Sequence, residues 1–161
     1  MPRIDKGDVY RLICTCLGIG YIRKGGGTVA AVVCCIGWYF AWRGGNEPVW
    51  LPLLMTLGLF FVGVHSAGKV EAEWGKDSYR VVIDEVAGMC LTLLFVPVRW
   101  PYLLAGLVLF RFFDISKPFY IRKMENLKGG WGVMMDDVLA GVYANLLLQL
   151  VVFVASFVKI A

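Results

Sequence analysis

Asp84 and Glu85 stand side by side near the start of the apolar stretch VVIDEVAGMCLTLLFVPV (81–98). Asp136 and Asp137 repeat the arrangement in GVMMDDVLAGVYANLLLQLVVFVASFV (132–158), and YLLAGLVLFRFFDISKPFYI (102–121) carries Arg111, Asp114 and Lys117. Insertion scales set a charged side chain at the centre of a membrane helix at about 2.5–3.5 kcal/mol, and less toward its edge. These five acids would therefore cost roughly 5–10 kcal/mol, as much as a whole domain's stability. Pairing with Arg111 and Lys117 leaves a surplus of negative charge, which a divalent cation would neutralise. Oxygen ligands without accompanying His or Cys suit Mg²⁺, one or two ions, ahead of Mn²⁺ or Ca²⁺.

A phosphate beside that metal accounts for the bases. Arg111, Asp114 and Lys117 follow one another at i, i+3 and i+6, near one helical face. Arg111 and Lys117 would grip phosphate oxygens while Asp114 turns to the metal, with Pro118 limiting the helix just beyond. The echo between DEVAG (84–88) and DDVLAG (136–141) adds Ala87, Gly88, Ala140 and Gly141, small enough to let two helices approach and bring both acidic pairs to one site. RKGGGT (23–28) and KGGWG (128–132) match no formal phosphate-loop motif. Even so, GGGT leads into a helix N-terminus, where an anion binds readily near Thr28.

The elements that must hold these residues are membrane helices. Of 161 residues, 59% are hydrophobic and 17% charged, and mean hydropathy is +0.70. Soluble domains have about 45–50% apolar and about 25% charged residues. The net charge of +4 includes no basic run suited to nucleic acid. MPRIDKGDVYRL lacks the pattern of a cleaved signal peptide. Spans are expected at 28–42, 49–65, 81–98, 101–119 and 136–158, with polar loops at 66–80 and 120–135. Residues 10–21 read as a short interfacial or re-entrant helix, being too short to span. The expected fold is therefore all-α: one domain over 1–161, a polytopic bundle of about five membrane-embedded helices plus that N-terminal helix. Counting crossings puts all the misplaced acids on one side, with every Lys and Arg except Arg43, Arg99 and Lys159. By the positive-inside rule that side is the cytoplasm.

Rival chemistries fit poorly. Cys14, Cys16, Cys34, Cys35 and Cys90 lie in apolar stretches without metal-ligand spacing. Cys16 and Arg23 are separated by one residue too many for a cysteine-phosphatase loop, His65 is the lone histidine, and no D-x-D occurs. A polytopic, metal-dependent phospholipid headgroup transferase would show D-G-x-x-A-R, which is absent. A carboxylate-lined cation transporter would place its acids at the midplane, whereas these crowd one interface.

VVIDEVAGM, LFRFFDISKPFYIR and GGWGVMMDDVLAGV together resemble the bacterial phosphatidylglycerophosphatase A family. Its pattern runs D-E-x-x-G, then F-R-x-x-D-x-x-K-P-x-x-I-R, then G-G-x-G-x-M-x-D-D-x-x-A-G, and the likeness extends from about Leu17 to Val142. The resemblance implies an α-helical, multi-pass enzyme of the bacterial inner membrane with its site facing the cytoplasm. Such an enzyme uses Mg²⁺ to remove the terminal phosphate from phosphatidylglycerophosphate, leaving phosphatidylglycerol, in phospholipid biosynthesis. Membrane lipids are its surroundings, and a homo-oligomer is compatible with it. The family's key positions fall on Asp84, Glu85, Arg111, Asp114, Lys117, Arg122, Asp136 and Asp137, with Asp77 as an accessory aspartate. Where the family commonly has P-G-T-x-G-S, this chain reads GGTVAA (26–31): Thr28 is kept, Gly26 replaces Pro, and Ala31 replaces Ser.

Overall fold

The computed structural model describes residues 5–45, 47–76 and 78–158, which form helices and no strand. They are α1 (Lys6–Cys14), α2 (Gly26–Trp42), α3 (Trp50–Trp74), α4 (Ile83–Leu93), α5 (Trp100–Ser116), α6 (Ile121–Met124) and α7 (Gly130–Val158), with a 3₁₀ turn at Ile19–Tyr21. The fold is all-α, and each expected apolar segment contains a helix.

Local chemistry sets the boundaries. Cys16, Leu17 and Gly18 all take left-handed φ (46°, 61° and 100°), so the N-terminal helix stops at Cys14 instead of running to 21. Gly25, at φ 84°, starts α2, and Pro101 sits in the first turn of α5, where its missing N–H costs nothing. At its other end α5 stops at Ser116, because Lys117 precedes Pro118 and takes the left-handed conformation at φ 42°.

The expected polar loops are partly helical. α3 continues to Trp74 because 66–74 is amphipathic: Ser66, Ala67 and Val70 are buried, while Glu73 reaches out to accept from Arg11 Nη2 of α1 at 2.7 Å. α7 begins at Gly130, so Asp136 and Asp137 stand in its second turn.

α3 and α7 have the length and apolarity to cross a membrane. α2 and α5, at 17 residues each, stand at the short limit of a spanning helix. α4 has 11 residues, about 16 Å of helix against a hydrocarbon core of about 30 Å. Against the expected bundle of about five membrane-embedded helices, two of the described helices qualify as candidate spans by length and composition. The outward faces of the long helices are nonetheless apolar, with Phe40 on α2, Leu54 and Phe61 on α3, Val108 and Phe112 on α5, and Leu150 and Phe153 on α7 all exposed. A water-soluble bundle would turn such side chains inward; here they make the protein membrane-associated.

α4 lies at the centre and contributes to both buried clusters. Met89 and Leu93 pack with Leu103, Phe110, Ala140 and Leu148. Ile83 and Ala87 pack with Ala67, Val70, Val133 and Met134. Its end inside apolar surroundings leaves backbone carbonyls that need donors. Asn145 of α7 supplies them, its Nδ2 donating at 2.9 Å to both Thr92 O and Leu94 O. Replacing Asn145 with Leu should therefore lower stability by about 1–3 kcal/mol, read as a fall in the thermal unfolding midpoint of detergent-solubilised protein.

Candidate active site

Two glycines determine how closely the acidic pairs meet. A Cβ placed on Gly88 of α4 would stand 2.6 Å from Asp137 O, and one on Gly141 of α7 would stand 2.5 Å from Gly88 O. Neither helix could carry even alanine there without moving. The contact lies about one turn beyond both acidic pairs, so it holds Asp84 and Glu85 of α4 against Asp136 and Asp137 of α7.

These side chains line a cleft of about 200 Å³ together with Ser78, Tyr79, Val81, Asp114, Lys117, Glu125 and Val133. Asp84, Glu85 and Asp137 each offer a carboxylate oxygen within 4.8 Å of the others. Asp114, Asp136 and Asp137 are 9%, 6% and 4% exposed, so water screens them poorly. Asp84 and Glu85 occupy the first turn of α4, where the helix dipole favours negative charge, and Asp84 Oδ1 accepts from the Glu85 N–H at 3.0 Å.

Two bases face six carboxylates, namely Asp84, Glu85, Asp114, Glu125, Asp136 and Asp137. Arg111 Nη1 lies 2.5 Å from Asp114 Oδ2 and 4.0 Å from Glu85 Oε1. Lys117 Nζ bridges Glu125 Oε1 at 2.7 Å and Asp136 Oδ2 at 2.6 Å. Carboxyl groups thus outnumber bases in the folded site as they do in the sequence. Glu85 Oε2, Asp136 Oδ1 and Arg111 Nε are buried without a hydrogen-bond partner. Two unpaired acceptors and one unpaired donor within this cluster suit a cation and an anion at once.

The structure therefore gathers seven of the expected residues in one place: Asp84, Glu85, Arg111, Asp114, Lys117, Asp136 and Asp137. Thr28 and Arg122 are exposed and stand outside the cleft lining, and Asp77 lies outside the described residues. The α2 start still approaches the site, since a Cβ on Gly27 would overlap the Glu85 carboxylate. Ala31, at the family's serine position, is fully buried in the apolar core. Sequence reasoning missed Glu125 and Tyr79. Glu125 follows Lys117 by eight residues across a left-handed corner, a relation no helical spacing exposes.

The fold and this cleft define a helical, membrane-associated protein with an acidic site that also carries fixed bases. Residues 12–152 match the family model described as phosphatidylglycerophosphatase A. The Escherichia coli phosphatidylglycerophosphatase A is 31% identical over 148 residues, covering 87% of this chain and 81% of its own length. That of Haemophilus influenzae is 43% identical over 95 residues, covering 57% of this chain and 58% of its own. A Bacteroides thetaiotaomicron protein named "Putative phosphatidylinositol-3-phosphatase" is 45% identical over 143 residues, covering 85% and 89%. No solved structure matches. The chain belongs to the phosphatidylglycerophosphatase A family, and it is a phosphoric monoester hydrolase.

The glycine contact yields a direct test. Gly88→Ala and Gly141→Ala should each destabilise the protein by about 1–3 kcal/mol and reduce kcat for phosphomonoester hydrolysis. Ala87→Gly, one residue away and free of that contact, should retain kcat. Thermal unfolding and phosphate release on the same preparations check both halves.

Proposed function

We propose that the chain is a Mg²⁺-dependent phosphatidylglycerophosphatase, hydrolysing the terminal phosphate of phosphatidylglycerophosphate to phosphatidylglycerol and phosphate. The observation that carries this reading is the convergence of Asp84, Glu85 and Asp137 beside Arg111, whose Nε is buried and unpaired. Family membership supports the choice of substrate.

The residues fit the cation. All donors are carboxylate oxygens, the choice of a hard divalent ion, and Glu85 Oε2 and Asp136 Oδ1 are buried acceptors still lacking a partner. When bound, Mg²⁺ supplies positive charge to the phosphate and renders a water more acidic. Asp84, Glu85 and Asp137 would hold it, with Asp114 and Asp136 at the border of the site. Arg111, steadied by Asp114, binds phosphate oxygens through its free donors, and Lys117 adds a second positive charge from between Glu125 and Asp136. One carboxylate of the cluster either accepts the attacking water's proton, or attacks phosphorus itself to form a carboxyl phosphate that a water then hydrolyses to phosphate. In either route the P–O bond to the glycerol headgroup breaks, and that oxygen takes up a proton.

In this reading the chain is a multi-pass protein of the bacterial inner membrane with its cleft at the cytoplasmic face. Supporting it, Arg23, Lys24, Arg80 and Lys128 lie in the connections at the cleft end of the bundle and Lys123 in the short α6 there, while Arg43 and Arg99 adjoin the far ends of α2 and α5. Lipid chains would lie against the exposed apolar faces, leaving the headgroup at the interface.

A second substrate deserves a parallel assay because of the Bacteroides relative's name. Purified protein in detergent should release phosphate from phosphatidylglycerophosphate with Mg²⁺ and not with EDTA. Asp84→Asn and Asp137→Asn should each reduce release by about 100-fold or more, since even outer partners of a metal site cost about 10–100-fold. Faster release from phosphatidylinositol 3-phosphate would reassign the substrate, and full activity in EDTA would remove the metal.

A further inference from the structure

Beside the cleft, outside the groups assigned to the reacting phosphate, two guanidiniums meet at one phenol. Tyr79 lines the cleft wall. The Arg80 guanidinium, and with it that of Arg23, lies close to the phenol, and their positive charge lowers the Tyr79 pKa from its ordinary value. The Arg80 guanidinium also lies 5.5 Å from the centres of the Tyr79 and Trp74 rings. Six carboxylates stand next door, yet among the described residues neither arginine is ion-paired with any of them. These cations are thus not spent on neutralising the acids.

The backbone that presents them is fixed. The Val82 N–H donates to Cys14 O at 2.9 Å, and a Cβ on Gly20 would collide with the Arg80 carbonyl. Arg23 comes from the turn before α2 and Arg80 from the segment before α4, so two chain entries converge on the cleft lip. Tyr79 is 52% exposed and Arg23 is exposed, leaving this lip open to a ligand. Two guanidiniums around a phenol make a donor set for a tetrahedral anion with two free oxygens.

We propose that Arg23, Tyr79 and Arg80 form a subsite for the phosphodiester that links the substrate's headgroup to its diacylglycerol. The inference rests on the proposed function and deepens it: the acidic cleft takes the phosphomonoester while the lip reads the second phosphate. Headgroups carrying both phosphates are thereby preferred to phosphatidic acid, which has the monoester alone.

The test uses neutral detergent micelles without added anionic lipid. Arg23→Gln and Arg80→Gln should each raise KM for phosphatidylglycerophosphate by about 10-fold, the loss of one charge-assisted contact, with kcat within about twofold of the wild type. Arg23→Lys and Arg80→Lys should recover part of the loss, and they carry the test if a Gln variant fails to fold. Arg43→Gln, at the far end of α2, should behave as wild type. Glycerophosphoglycerol, a soluble phosphodiester without a monoester, should compete with substrate in the wild type and lose potency in the Gln variants. Unchanged KM in folded, active Gln variants overturns the subsite. So does a KM effect that appears only when phosphatidylglycerol is added, because the arginines would then bind bulk lipid. If the wild type does not hydrolyse phosphatidylglycerophosphate, the proposed function fails by itself, and glycerophosphoglycerol binding to wild type against Arg80→Gln still decides the subsite.

Discussion

The backbone contact between Gly88 and Gly141 brings α4 and α7 closer than any side chain would permit, and the rest of the site depends on that distance. Buried carboxylates repel one another and lack water to screen them, so they do not gather without an imposed scaffold. Here the scaffold is helix packing: Gly88 and Gly141 remove the bulk, and Phe110 closes against Gly88. The energy that assembles the acids comes from burying apolar groups elsewhere in the two clusters that α4 joins.

The second constraint is the shortness of α4. A helix that began at the acidic pair and crossed the whole membrane would need to continue well past Leu93. Instead the chain turns at Phe95, with φ 61°, and Pro97 follows, while Asn145 takes over the exposed carbonyls. The result is a half-length helix whose N-terminal end points into the acidic cleft and whose C-terminal end is sealed by α7. One helix, α7, thus supplies two of the acids, the close glycine and the cap.

Much of this was legible in the residues themselves. Paired carboxylates opening apolar runs are hard to explain without a polar site, and Arg111 and Asp114 at i, i+3 do form an ion pair. The small residues after each acidic pair signalled close packing. Other features depend on tertiary structure. The apolar run continues to Val98 after α4 has ended, because the capping donor lies some fifty residues away. Lys117 shares the i+6 spacing but leaves the helix at a left-handed corner, which redirects it to Glu125 and Asp136. Residues 66–74 look like a loop by polarity, yet the buried positions 66, 67 and 70 make one face of a helix. The bases Arg23 and Arg80 appear unrelated in the chain, and only the convergence of two loops on Tyr79 joins them.

The central claim is that two distant acidic motifs make one cation site. Mn²⁺ binding, followed by electron paramagnetic resonance, tests it in the wild type, Asp84→Asn, Asp137→Asn and the double variant. One shared site predicts that each single change weakens binding by about 10-fold or more and that the double change adds far less than the sum of the two in free energy. Fully additive losses, or wild-type Mn²⁺ affinity in either single variant, would contradict it.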